Sequence, residues 1–281
     1  MTNRVVITGM GGISSIGMSV PEIYNSLKEG KSGISMLEFP DVKRLNVRTG
    51  GQIKNFDPNK HFEQKQIGRM DRFSQFALLA ANEAITSSGL GDSREEWSEN
   101  AGIILGSSIG GIETINYSYK QVFEKGHNKL HPLTIPKIMN NSATSLISIE
   151  YGIQGPSFTV SSACSSANHA MGLAYETIKS RKSSIMITGG SESFLSFGGI
   201  KPWESLRVLS PSKCRPFSKG RDGLVHGEGA GIFVFESLDS AKKRKAEIIA
   251  EVIGFAMSSD ASDLIKPNNI GPEKALRGVL K

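Results

Sequence analysis

The stretch that most limits what this chain can fold into is VSSACSSANHA at residues 160–170, where a β-type run ends and a small-residue helix begins directly after Cys164. A strand that turns sharply into a helix lifts the turn residue out at the end of a sheet, the arrangement of a nucleophile elbow. At the opening of a helix, unpaired backbone amides and the helix dipole favour an anion, here a thiolate. Ala163, Ser165, Ser166 and Ala167 are small, so a substrate carbonyl can approach and the same amides can hold an oxyanion. The competing role is packing, since most free cysteines are small buried hydrophobes. Cys214, in SPSKCRPFS, has no strand before it and no helix after it, and packing is the expectation there.

The surrounding chain supplies a scaffold. RVVITG at 4–9, AGIILG at 101–106 and SSIMITGG at 183–190 are apolar runs that break into glycines. Such junctions indicate an α/β sheet whose strand ends converge on one site. Further strands are expected over 157–163, 230–237 and 247–257. Helical spacing predicts helices over 21–28, 71–88, 135–151, the stretch from Cys164 to 179, 239–245 and 272–281, with mixed structure at 117–133. Residues 30–60 and the stretch up to 221 read as loops. The glycines at 9, 11, 12 and 17 do not form G-x-G-x-x-G, so a dinucleotide site is disfavoured.

A thiol nucleophile normally works with a base, most often histidine, and the chain has five. His169 falls about 140° round the helix from Cys164 and should face away. His226 precedes the GEGAG turn and either approaches the site or is structural; His61, His127 and His131 sit in polar, loop-like contexts. Two cysteines fifty positions apart form no disulfide framework, and no Cys/His spacing suggests zinc. No cofactor or metal is expected. The net charge of +6 favours an acidic partner or is merely solvated surface charge; scattered basic residues without a recognition motif argue against nucleic acid. No apolar run approaches the roughly 20 residues that span a bilayer, and the first residues lack a signal-peptide pattern, so a cytoplasmic location is expected.

Five segments together resemble the β-ketoacyl-acyl-carrier-protein synthases, condensing enzymes of the thiolase superfamily, and most closely the synthase II type. They are RVVITGMGGISSIG at 4–17, RMDRFSQFAL at 69–78, GSSIGG at 106–111, GPSFTVSSACSSANHA at 155–170 and CRPFSKGRDGLVHGEGAG at 214–231. The cysteine motif is also similar to that of the nodulation-associated branch. The resemblance implies that Cys164 takes an acyl chain as a thioester from acyl carrier protein or coenzyme A. The thioester then condenses with a decarboxylating malonyl-carrier-protein to give a 3-oxoacyl product. It further implies that Ile109 lines the acyl pocket, that Lys65, Arg69 and Arg207 meet the acidic carrier, and that the strand in 155–164 pairs across a homodimer interface.

The implied fold is a thiolase-like layered α/β/α architecture, the first half of a duplicated five-layer fold, with the second half missing. Residues 1–254 would form the N-terminal ketosynthase domain and 255–281 the start of the C-terminal half. The two histidines, lysine and glycine-rich loop of the family's site would lie in that absent half. SSDASDLIKP at 258–267 departs from the family pattern, with Ser262 and Asp263 where an aromatic residue and a histidine are expected. The alternative is therefore a truncated or split ketosynthase subunit, catalytically incompetent by itself, acting as a binding partner.

Overall fold

The computed structural model describes residues 3–91 and 94–280, without the side chains of Arg94 and Glu96. Its strands are β1 (Val5–Ser14), β2 (Ser35–Met36), β3 (Thr49–Gly50), β4 (Ala101–Gly106), β5 (Ser157–Val160), β6 (Ile185–Glu192), β7 (Gly229–Ser237) and β8 (Ala250–Val252). β2 and β3 form a small hairpin, and the other six make one mixed sheet in the order β5-β4-β6-β7-β1-β8. β4 is parallel to β5 and β6, whereas β7 is antiparallel to both β6 and β1. The carboxyl ends of β1, β4, β5 and β6 therefore share one edge with the start of β7.

Side-chain alternation along the strands builds a layer on each face. Ile103, Leu105, Ile185, Ile187, Ile232 and Val234 meet Phe73, Ala77, Ala81 and Ile85 of the Arg72–Ser87 helix on one side. Ile104, Met186 and Phe235 meet Ala170, Ala174 and Ile178 of the Ser166–Lys179 helix on the other. Burial on both faces is why these strands read as unbroken apolar runs. The result is the expected α/β/α layering.

The glycines after β1's apolar start have a packing role. A β-carbon at Gly11 would lie 2.0 Å from the Ala80 carbonyl oxygen, and one at Gly9 would lie 2.1 Å from that of Ala84. Only glycine lets the alanine-rich helix close onto this strand. Asp71, expected inside that helix, instead caps it, and accepts hydrogen bonds from the amides of Phe73 at 3.5 Å and Thr114 at 2.8 Å.

Several elements differ from the sequence expectation. The helix expected over 135–151 is two, Thr134–Ile138 and Ser142–Tyr151, because Met139 is extended and Gly110 and Gly111 press against residues 137–140. A helix at Phe197–Ser205 occupies part of the expected loop up to 221, started by the Ser196 hydroxyl accepting from the Gly199 amide. Gly198, Gly199 and Pro202 hide it, since all three are poor helix residues. The strand expected at 247–257 is confined to β8. The last helix runs Ile270–Val279, and Lys281 lies outside the described residues. No helix among the described residues is long and apolar enough to cross a membrane.

Candidate active site

β5 ends at Val160, and the chain reverses over five residues before the Ser166–Lys179 helix begins. Ala163 takes a left-handed conformation, φ 51°, which costs a β-carbon-bearing residue about 1–2 kcal/mol. Ser166 holds the turn: its hydroxyl accepts from the Ser162 amide at 2.9 Å and donates to the Ala163 carbonyl at 2.6 Å. Cys164 is exposed at the apex. It precedes the first helical residue by two, rather than sitting in the first turn as the sequence suggested. Its exposure removes the packing role for this residue, and Cys214 is exposed too, against the expectation of burial.

Gly106, the last residue of β4, brings the sheet to this turn. A β-carbon there would lie 2.3 Å from the Ala167 amide, so the opening turn of the helix rests directly on the strand end. A cleft of about 620 Å³ opens at this place, lined by Cys164 and Ile109 together with Ile13, Ala167, Phe194, Trp203, Leu224, Glu192 and His226. The structure thus brings Cys164 and Ile109 to one cavity. The turn carrying Ile109 is tied down on two sides. Glu192 accepts from the Ser108 amide at 2.7 Å and from its hydroxyl. Asn140 donates to the Ser107 and Ser108 carbonyls at 3.4 Å each, and the Ser161 hydroxyl donates to the Ser108 carbonyl at 3.3 Å.

No histidine among the described residues hydrogen-bonds Cys164. His169 supports the elbow instead of simply facing away: its Nδ1 pairs with the Ser162 hydroxyl at 2.7 Å, while its ring meets Phe255 edge-on. His226 stands edge-on to Phe194 and Trp203, with ring centroids 4.7 and 4.9 Å away. Burial pushes its pKa down to about 4, so the imidazole is neutral at physiological pH. His61, His127 and His131 are exposed, as expected. Lys65, Arg69 and Arg207 are exposed as well, and Arg207 follows the Phe197–Ser205 helix that supplies Trp203 to the cleft.

A second hollow of about 700 Å³ lies apart from the thiol, lined in part by Asp71, Arg72, Glu113 and Lys137. Arg72 donates to both oxygens of buried Glu228, at 2.9 and 2.7 Å, and the Ser193 hydroxyl adds a third bond at 2.7 Å. Burial, reinforced by the neighbouring Asp71 carboxylate, pushes Glu113 up to about 7. Burial likewise raises Asp71.

Glu192, Asn140 and Trp203 belong to the site and escape a sequence reading. Glu192 carries a faint signal, an acidic residue closing an apolar strand. Asn140 and Trp203 carry none, since one sits in an unexpected helix break and the other in an unexpected helix.

Residues 2–241 match the family description "Beta-ketoacyl synthase, N-terminal domain". The chain is 41% identical over its whole length to nodulation protein E of Rhizobium sp. (strain N33), covering 69% of that protein. It is 38% identical over 94% of its length to 3-oxoacyl-[acyl-carrier-protein] synthase 2 of Staphylococcus aureus (strain COL), covering 65% of that enzyme. Among solved structures, the ishigamide ketosynthase/chain length factor superposes on all of the chain with a TM-score of 0.93 at 31% identity, with 70% of that chain covered.

Proposed function

Because this chain belongs to the beta-ketoacyl synthase family, we propose that it carries the nucleophile of a 3-oxoacyl-[acyl-carrier-protein] synthase in fatty-acid or related acyl-chain biosynthesis. The observation that carries this is the exposed Cys164 at a strained elbow, opening onto the cleft that also holds Ile109. Cys164 Sγ attacks the carbonyl of an acyl thioester. The carrier's C–S bond breaks, and the departing thiol takes the proton that Cys164 gave up. Malonyl-carrier-protein then loses carbon dioxide, and its carbanion attacks the acyl carbonyl. A C–C bond forms, the C–S bond to Cys164 breaks, and the thiol is restored by a proton.

Exposed Lys65, Arg69 and Arg207, within a net charge of +6, suit an acidic acyl carrier protein. β5 is the edge strand of the sheet with Phe158 outward and 44% exposed, a strand placed to pair with a second copy in a homodimer. The reading places the enzyme in the cytoplasm, with residues 1–254 as the N-terminal ketosynthase domain and 255–281 as the start of the C-terminal half.

The test is mass spectrometry after incubation of the purified chain with an acyl-coenzyme A. One acyl group on Cys164, and none in Cys164→Ala, is expected; acylation at Cys214 instead refutes the assignment. A second reading, an incompetent or split subunit that serves as a binding partner, is favoured by the lack of any histidine bonded to Cys164 among the described residues. Condensation by the purified chain alone excludes it.

A further inference from the structure

Ser162, two residues before Cys164, is held by its amide, its carbonyl and its hydroxyl. The amide donates to the Ser166 hydroxyl at 2.9 Å, and the carbonyl accepts from the Ser165 amide at 3.3 Å and the Ser165 hydroxyl at 3.1 Å. Those bonds stay within the turn they brace. The hydroxyl reaches further, pairing at 2.7 Å with Nδ1 of His169, the fourth residue of the helix. His169 is itself anchored: its amide donates to the Ser165 carbonyl at 2.9 Å, and its ring meets Phe255 edge-on. Gly172 makes room for Phe255, since a β-carbon there would lie 2.2 Å from that ring. Ala170, next in the chain, is buried in the layer that holds Ile104 and Met186. The described lining of the cleft includes neither Ser162 nor His169, so anything they do for Cys164 passes through the elbow backbone.

We infer that His169 is a positioning residue for the acylation of Cys164, acting through Ser162. Ala163 holds a left-handed turn, and such a conformation persists only where its surroundings over-determine it. His169 ties that turn to the part of the helix that packs on the sheet, which keeps Sγ and the amide of Cys164 in place beside the cleft. Attack on a thioester carbonyl needs that placement, and a shift of about 1 Å can cost on the order of 10²-fold in rate. The inference rests on the acyl-transfer reading and adds a residue that sets its rate.

The experiment separates the polar bond from the packing. His169→Phe keeps a ring against Phe255 and lacks the bond; His169→Asn loses the ring but places an amide where Nδ1 stands, able to donate or accept. Single-turnover acylation of Cys164 in the full chain is followed by intact mass over a range of acyl-coenzyme A concentrations. His169→Phe and Ser162→Ala should each lower the limiting rate about ten-fold, the scale of one hydrogen bond, and leave the half-saturating concentration within about two-fold. His169→Asn should keep more than about half of the original rate, and the double variant His169→Phe with Ser162→Ala should be no slower than either single one. Ser162→Ala, at a half-buried turn residue, breaks the same bond and carries the test where a His169 variant does not fold. An unslowed Ser162→Ala or His169→Phe, a His169→Asn as slow as His169→Phe, additive losses in the double variant, or a loss confined to the half-saturating concentration overturns the inference and leaves acyl transfer intact. Failure of the unmodified Cys164 to acylate removes this inference and the proposed function together.

Discussion

The hollow around Glu113 and the cleft around Cys164 are nearly equal in size and opposite in construction. The one around Glu113 is held by charge: Arg72 clamps Glu228, Asp71 caps a helix, and Glu113 is crowded between them. The one around Cys164 is carved by small groups: Gly106 admits the helix, Ala163 accepts a left-handed turn, and serine hydroxyls hold the backbone. Charge fastens the Arg72–Ser87 helix to the glycine-rich entry of β7, where a buried pair is satisfied on all sides. The thiol needs the reverse, because an acyl carbonyl must come close and bulky or charged neighbours would block it. Of the two large pKa displacements, that of Glu113 lies in the charged hollow and that of His226 lies in the cleft with Cys164, so perturbed titration here marks scaffold as readily as function.

This contrast can be broken from either side. The largest expected effect is Arg72→Ala, which leaves Glu228, with a side chain only 1% exposed, as a buried carboxylate without its cation. It should cost about 3–5 kcal/mol in urea unfolding, and a loss under about 1 kcal/mol would mean that the charged hollow is not what holds the helix. Next comes Gly106→Ala, whose β-carbon must displace the Ala167 amide. A cost of about 1–3 kcal/mol is expected, together with slower alkylation of Cys164 by iodoacetamide; unchanged alkylation would detach the elbow from β4.

The smallest is Glu113→Gln, read as a slope. Glu113 stands at about 7 in the folded chain against an ordinary 4.5. Between those values the folded state holds a proton that the unfolded state has released, so stability falls as pH rises from about 4.5 to 7. Asp71, also raised, acts in the same direction, while Arg72 opposes the shift of Glu113 and Lys137 that of Asp71. Glu113→Gln should flatten that decline in thermal melts across this range, and an unaltered slope would assign it to Asp71. His226 works the other way. Held near 4 against an ordinary 6.5, it withdraws stability as pH falls through 6.5, which gives the two hollows opposite pH signatures.

How much of this was legible in the residues follows from the range of the forces involved. The apolar runs at 101–106 and 185–192 and the strand-to-helix turn at Cys164 depend on neighbours within a few positions, and all were readable. The Phe197–Ser205 helix was not, because its glycines and proline contradict it locally and packing against the rest of the chain sustains it. Asn140 reaches the Ile109 turn only because the glycines at 110 and 111 break a helix some thirty positions later. His169 looked misplaced by helical angle, yet it lies beneath the elbow because the chain folds back over the first turn.

By itself, then, the sequence determined the α/β sheet and the elbow that carries Cys164, since strand periodicity and small-residue turns are local properties of the backbone. The tertiary structure alone brought Glu192 and Trp203 to the cleft with Cys164 and decided between the two roles open to His226. Glu192, Trp203 and His226 reach it from three separate segments. The bond from Ser108 to Glu192 and the ring contacts of His226 with Phe194 and Trp203 exist only once β4, β6 and β7 are side by side.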